Sequence, residues 1–350
     1  MKIKWGVLGG GGIADRRTIP GMLMAKNAEL NSIMELNMTM ARDLCTKYNA
    51  PNAYDNANEL LQNSGVDAVY IASPVLYHKE QILAAAEAGK HILVEKPVAL
   101  SAAEAEEAVR YCEKKGVKLA AGFMMRFASA HRKMKELIAQ GKLGELVSAS
   151  GQFTCWYPDI QGAWRQKKNL SGGGALMDMG VHIIDLLQYI MGSRIIRVGA
   201  FAATKTFSYE VDDSSSLLVC FENGAFGNIN ANFNIPDEAA KWRIEFYGTR
   251  GRLIGDRTIG QVEGGEVDAL FTAGDALYDA VQDENPADRE NIGFTPGNMY
   301  AKEIESFGES ILTGRPLECP ASEAVYVQRV AEAAYESAAT GRFIDLPPDK

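Results

Sequence analysis

The sequence predicts an α/β protein: an N-terminal doubly wound parallel sheet over residues 1–122, then an α+β domain over 123–350 with an open, mainly antiparallel sheet. Three observations predict this. Short apolar runs alternate with helical segments of about ten residues through the first third of the chain, the pattern of a parallel sheet covered by helices. A glycine-rich turn joins the first run to the first helix. After Gly122 strand-like stretches separated by turns take over, as in an antiparallel sheet with helices on one side.

The run 3–8 is apolar and ends in four glycines. A helix is expected over 13–24, with a break or kink at Pro20. A strand over 29–34, helices over 39–48 and 57–62 and a strand over 68–72 follow. Next come an alanine-rich helix, 78–88, closed by Gly89, and a strand, 91–94. A helix over 102–115, capped by Ser101 and ended by Gly116, leads to a strand over 117–121. In the second domain, helices are expected over 129–140 and 177–191, and strands over 215–221, 225–233 and 242–247. The turn Gly248-Thr249-Arg250-Gly251 follows the last of these. The stretch 283–297 is polar and rich in Pro, Gly and Asn, which reads as a mobile loop or lid. A final helix, 321–340, follows Pro320 and stops at Gly341.

The 350 residues are 47% hydrophobic and 23% charged, enough to bury a large core. No apolar run approaches the ~18 residues that span a bilayer, and the N-terminus is not a secretory signal, so a cytoplasmic protein without membrane partners is expected. A net charge of −9 argues against nucleic acid, whose phosphates need a basic face. The five cysteines form no C-x-x-C, so neither a metal site nor a disulfide framework is expected, and a reducing compartment fits.

The first turn reads VLGGGGIAD and gives Gly9-x-Gly11-x-x-Ala14 between an expected strand and an expected helix. There the first glycine permits a tight turn, the second lets backbone approach a pyrophosphate, and the small third residue lets helix pack on strand. The helix N-terminus adds partial positive charge. Gly9, Gly11, Gly12, Ile13 and Ala14 are thus candidates for holding a dinucleotide, and the first domain reads as a Rossmann domain. Glu35 follows the second strand, about 20 residues on, placed to accept hydrogen bonds from ribose hydroxyls and to repel a 2′-phosphate. No arginine adjoins it, which favours NAD(H) over NADP(H).

Glu95-Lys96-Pro97 stands at the carboxyl end of an expected strand, where open α/β sheets bind ligands. Pro97 stiffens the turn and can hold Lys96 toward the cofactor; the alternative is a solvated surface lysine. The stretch GGGALMDMGVHIID opens a helix that is apolar on nearly every side and should be buried. Yet Asp178, His182 and Asp185 recur at i, i+4 and i+7, on one face. Polar groups on a buried helix are costly unless paired or used, so they form either a satisfied core pair or an acid–base site; their company favours the site. Trp164-Arg165 offers an indole face and a guanidinium fork suited to a hydroxyl-rich or carboxylated ligand, or is an exposed loop pair.

Together these motifs carry a resemblance. VLGGGGIAD, Ser73-Pro74 with His78, Glu95-Lys96-Pro97, Gly122-Phe123-Met124-Met125-Arg126-Phe127, GGGALMDMGVHIIDLL and the late YGTRGRL stand in the order seen in the Gfo/Idh/MocA family of sugar and cyclitol dehydrogenases, which the chain resembles over nearly its whole length. The Trp164-Arg165 pair is similar to the branch that includes 1,5-anhydro-fructose reductase. The resemblance implies hydride transfer between a nicotinamide and a secondary alcohol or ketone of a sugar, cyclitol or related polyol. It implies contact of Lys96 with the reacting oxygen, and substrate orientation and proton movement by Asp178 and His182. It adds Ser73, Pro74, His78, Glu95 and Lys96 to the cofactor-binding candidates and Arg126, Trp164 and Arg165 to the substrate-binding ones. A homodimer or homotetramer packed through the second-domain sheet is also implied. Two rivals remain at this point: a glycoside hydrolase that oxidises its substrate transiently with bound NAD, and a catalytically silent NAD-binding sensor.

Overall fold

The computed structural model describes residues 1–63, 65–261, 263–272 and 289–346. The chain divides into two compact units. The first comprises Met1–Phe127, Lys167–Gly172 and Asn298–Gln328, and the second Ala128–Gln166, Gly173–Gly297 and Arg329–Lys350.

The first unit is built on six parallel strands: β1 (Ile3–Leu8), β2 (Ala28–Met34), β3 (Asn52–Tyr54), β4 (Ala68–Ile71), β5 (His91–Glu95) and β6 (Leu119–Gly122). Their order in the sheet is β3-β2-β1-β4-β5-β6. The order reverses between β1 and β4, the place where doubly wound sheets open a crevice for a ligand. Buried Trp5, Val7, Ile33, Tyr70 and Leu93 form the core from the sheet side. Across from them Ile304 and Phe307 come from the helix Met299–Thr313, and the Trp5 and Phe307 rings stand 5.5 Å apart. Each such side chain contributes about 1.5–3 kcal/mol by leaving water. That packing is why 298–328 belongs with the parallel sheet, whereas the sequence reading divided the chain once, at Gly122. The helix itself is set by its ends: the Asn298 side chain accepts from the Ala301 N–H, and Gly314 closes it.

The expected helix 13–24 is two pieces, a π-helical turn Ala14–Thr18 and an α-helix Ile19–Met24. Pro20, which lacks an N–H, fits the open first turn of the second piece. The three-residue β3 carries no apolar alternation and was not foreseen from the sequence.

The second unit has nine strands among the described residues: β7 (Leu146–Thr154), β8 (Ile195–Ala203), β9 (Ser214–Phe221), β10 (Phe226–Asn232), β11 (Ile244–Gly248), β12 (Gly251–Asp256), β13 (Glu266–Phe271), β14 (Glu290–Asn291) and β15 (Ile344–Asp345). The order is β14-β13-β12-β11-β7-β10-β9-β8-β15, antiparallel except for the parallel pair β7 and β10. One sheet face is buried, with Leu217, Val219, Ile229 and Ala231. The helix Val181–Met191 packs on β7 and on the helix Ser129–Ala139. Leu218, Phe226 and Phe201 of the opposite face are exposed, as period-two alternation in an open sheet requires. Of the expected lid, residues 283–288 lie outside the described residues; Glu290–Asn291 pairs with β13, and the Gly297 N–H donates to Glu263.

Candidate active site

In the first unit the sequence motifs gather at the switch point between β1 and β4. Gly9 has φ +81°, and a Cβ there would sit 2.7 Å from the Ser73 backbone nitrogen, so only glycine fits. The Gly11 N–H donates to Glu35 Oε1 at 2.6 Å, which places the acid directly over the glycine turn. His78 is 1% exposed and lies between two carbonyl oxygens, Pro97 at 2.9 Å and Ser73 at 2.8 Å. Burial holds its pKa below the usual histidine value, and a neutral ring has one N–H to donate. His78 thus ties the Ser73-Pro74 loop to the Glu-Lys-Pro turn. In that turn the Lys96-Pro97 peptide is cis, and Glu95 Oε1 accepts from the Tyr70 hydroxyl at 2.5 Å. Arg126, a sequence candidate for substrate contact, is 5% exposed; its Nη1 meets Glu323 Oε2 at 2.5 Å and the Glu318 carbonyl at 3.1 Å. These contacts tie its guanidinium to residues 318–323 of the same unit.

In the second unit a π-helical turn, Leu176–Gly180, runs into the helix Val181–Met191. Its start is built by Asp212, whose carboxylate accepts from the N–H groups of Gly174 at 2.8 Å and Leu176 at 2.9 Å and from the Tyr335 hydroxyl at 2.6 Å. The Ala175 N–H donates to the Asp212 carbonyl at 2.8 Å. A Cβ on Gly174 would lie 1.9 Å from that carbonyl, which explains a glycine there. Burial pushes the Asp212 carboxyl up, against the pull of these donors. Neighbouring Asp213 has another duty: burial opposes its ionisation, but N–H groups of Phe207, Lys205 and Thr206 hold it below the usual carboxylate range.

This start carries Asp178 and His182. Asp178 is partly exposed, and Arg165 Nε lies 3.7 Å from its Oδ2. The Arg165 guanidinium lies over the Trp164 ring, 4.4 Å from its centroid, so the Trp-Arg pair and the aspartate form one constellation. His182, 4% exposed, meets Phe153 edge-on at 5.9 Å. Asp185, on the same helix, is buried at 1% exposure and so belongs to the core. Tyr157 and Cys155 lie within the field of Asp178 and Arg165. Burial, then the Asp178 charge, pushes the Cys155 thiol up to about 12, so it is neutral and no nucleophile at neutral pH.

Comparison with known proteins settles the kinship. Residues 3–123 match the model of an oxidoreductase family with an NAD-binding Rossmann fold, and residues 131–254 match the GFO/IDH/MocA C-terminal domain. The D-xylose 1-dehydrogenase (NADP(+)) 2 of Haloferax volcanii is 31% identical over 98% of this chain and 99% of its own. The chain belongs to the Gfo/Idh/MocA oxidoreductase family. The 1,5-anhydro-D-fructose reductase of Ensifer adhaerens is 28% identical, covering 98% of both chains. The crystal structure of an aldose-aldose oxidoreductase from Caulobacter crescentus, complexed with glycerol, superposes with a TM-score of 0.89 at 25% identity, covering 99% of this chain and 100% of that one.

The first unit of this Gfo/Idh/MocA chain is therefore an NAD(P)-binding Rossmann domain. Its geometry fits the dinucleotide: a glycine turn that a Cβ would fill, at a switch point, under an acid. Sequence reasoning gathered the Rossmann residues and the Asp178–His182 stripe. It missed Asp212 and Tyr335, which hold the stripe's helix. No local signal marked them, because Asp212 stands 36 to 38 residues from the helix start it holds and Tyr335 lies 123 residues beyond Asp212.

Proposed function

We propose that this protein moves hydride between a nicotinamide dinucleotide and a secondary alcohol or ketone of a sugar, cyclitol or related polyol, with NAD(H) preferred to NADP(H). The observation that carries the reading is the polar constellation Asp178, His182 and Arg165 on and beside a buried helix, in a chain that also owns a Rossmann domain. The relatives named for anhydrofructose, xylose and aldose chemistry support the substrate class. Glu35 over the glycine turn supports NAD(H), although the xylose relative is named for NADP(+).

Gly9, Gly11, Gly12, Ile13 and Ala14 would cradle the pyrophosphate, with Glu35 on the ribose and Ser73, Pro74, His78 and Glu95 shaping the rest of the cofactor site. Bound there, the nicotinamide supplies the hydride acceptor or donor. His182 takes the proton from the substrate hydroxyl, since imidazole titrates nearest neutrality. Asp178 stabilises the charged ring, and Trp164 and Arg165 contact the sugar's ring and hydroxyls. Lys96 stabilises the developing alkoxide by its positive charge.

The test is absorbance at the reduced-nicotinamide band against a panel of sugars, ketosugars and inositols. Net reduction of NAD by at least one polyol is expected. No reduction by any of them, or a cleaved glycoside without net reduced nucleotide, contradicts the reading. A cytoplasmic setting belongs to the same reading, as does a homodimer or homotetramer that covers the exposed Phe201, Leu218 and Phe226. Light scattering that reports a monomer at about micromolar concentration would overturn the assembly.

A further inference from the structure

Behind the Glu-Lys-Pro turn, inside the first unit, Glu95 meets acids and phenols to which the hydride-transfer reading assigns no role: Tyr70, Tyr300 and Glu303. Tyr70, fully buried on β4, donates to Glu95 Oε1 and accepts from the Thr18 hydroxyl at 2.9 Å. The Glu95 carboxylate lies against β6, where a Cβ on Gly122 would sit 3.3 Å from its Oε1. From the helix Met299–Thr313, Glu303 and Tyr300 enter the same cluster, 3% and 2% exposed. Glu303 Oε1 is buried and has no hydrogen-bond partner among the described residues.

The charge of Glu95 acts on Glu303, and both charges act on Tyr70 and Tyr300; Arg16 and Arg17 of the π-helical turn also act on Tyr300. Burial first, then the charge of Glu95, holds the Glu303 carboxyl well above the usual carboxylate range. Two carboxyl groups in one dry site strongly disfavour double ionisation and share their proton as a pair.

We propose that Glu303 is a positioning residue that holds the proton of this pair, so that Glu95 alone is charged and a single negative charge stands beside Lys96. The proposal deepens the reading that Lys96 works on the substrate oxygen and rests on it. A second negative charge there would oppose the alkoxide that the lysine stabilises. Neutral Glu303 prevents this without removing Glu95, whose carboxylate is fixed by the Tyr70 hydroxyl.

Infrared spectroscopy of the full-length protein, with neither nucleotide nor sugar added, tests the proposal. At neutral pH the wild type is expected to show the carbonyl stretch of a buried protonated carboxyl, and Glu303→Gln to lack it. In Glu95→Gln the neighbouring charge is gone, so the band should titrate away at a pH lower by about one unit or more. If Glu303→Gln does not fold, the Glu95→Gln titration decides alone. A wild type without the band, a band that survives Glu303→Gln, or a titration unmoved by Glu95→Gln overturns the proposal. Because no sugar enters the experiment, its failure is separate from a failure of the nucleotide-reduction assay.

Discussion

The molecule has two glycine-rich helix starts, and they are used in opposite ways. At Gly9–Gly12 the backbone bends under Glu35, and a side chain reaches over the turn from the next strand's end. At Gly172–Gly174 the chain bends onto its own Asp212, which takes up the N–H groups of Gly174 and Leu176. Both lead into a π-helical turn, Ala14–Thr18 and Leu176–Gly180, before the α-helix proper. The first start, whose Gly9 leaves no room for a Cβ beside Ser73, belongs to the NAD(P)-binding Rossmann domain. The second is closed by the protein, and its product is the placement of Asp178 and His182. A carboxylate takes up backbone N–H groups at both starts, one at Gly11 and two at Gly174 and Leu176, so a glycine run before a helix is not a phosphate site by itself.

This contrast can be broken at either start. The largest effect is expected from the proposed acid–base groups, one of them, His182, carried by the second start. Lys96→Ala and His182→Asn should each lower turnover by about 100- to 10,000-fold, with NAD affinity by calorimetry nearly intact. Near-normal turnover in both would reduce the polar stripe to a structural pair.

Next comes Asp212→Ala. Two backbone donors and the Tyr335 hydroxyl lose their acceptor, at roughly 1–3 kcal/mol for each before relaxation and water entry. A net loss of about 3 kcal/mol in urea unfolding is expected, with turnover reduced alongside. A change below about 0.5 kcal/mol would show that the second start does not depend on its carboxylate.

The corresponding change at the first start, Glu35→Gln, should leave stability within about 0.5 kcal/mol, as surface substitutions do. It should shift the ratio of NAD to NADP affinity by about tenfold toward NADP, read by calorimetric titration. Equal or tighter NADP binding by the wild type would refute the cofactor assignment.

The smallest effect is a pH dependence. Burial lowers the pKa of His78 in the folded state, so the unfolded chain binds its proton first as pH falls. Stability should be lost as pH drops below about 6.5, by at most about 1.4 kcal/mol per pH unit. Denaturation at several pH values should show a shallower slope for His78→Gln; an equal slope assigns the acid sensitivity elsewhere.

The two starts were not equally legible in the sequence. The Rossmann turn announces itself because ligand and backbone together demand Gly9 and Gly11 at fixed spacing, beside a strand whose apolar run ends there. Most of the parallel sheet was readable for the same local reason. The helix carrying Asp178 and His182 could be read from its apolar sides, but its cap could not, since Asp212 and Tyr335 come from remote parts of the chain. The membership of 298–328 in the first unit was hidden likewise: Phe307 meets Trp5 across nearly the whole sequence. The Trp164-Arg165 pair read equally well as an exposed loop until Arg165 was found beside Asp178.

Deuterium transfer tests the central claim most directly. A sugar or polyol that reduces NAD in the panel is labelled at its carbinol carbon, and the nicotinamide product is examined by mass spectrometry. Direct hydride transfer predicts one deuterium on the nicotinamide for each substrate oxidised. Label released to water, or reduced nucleotide without label, would contradict the account.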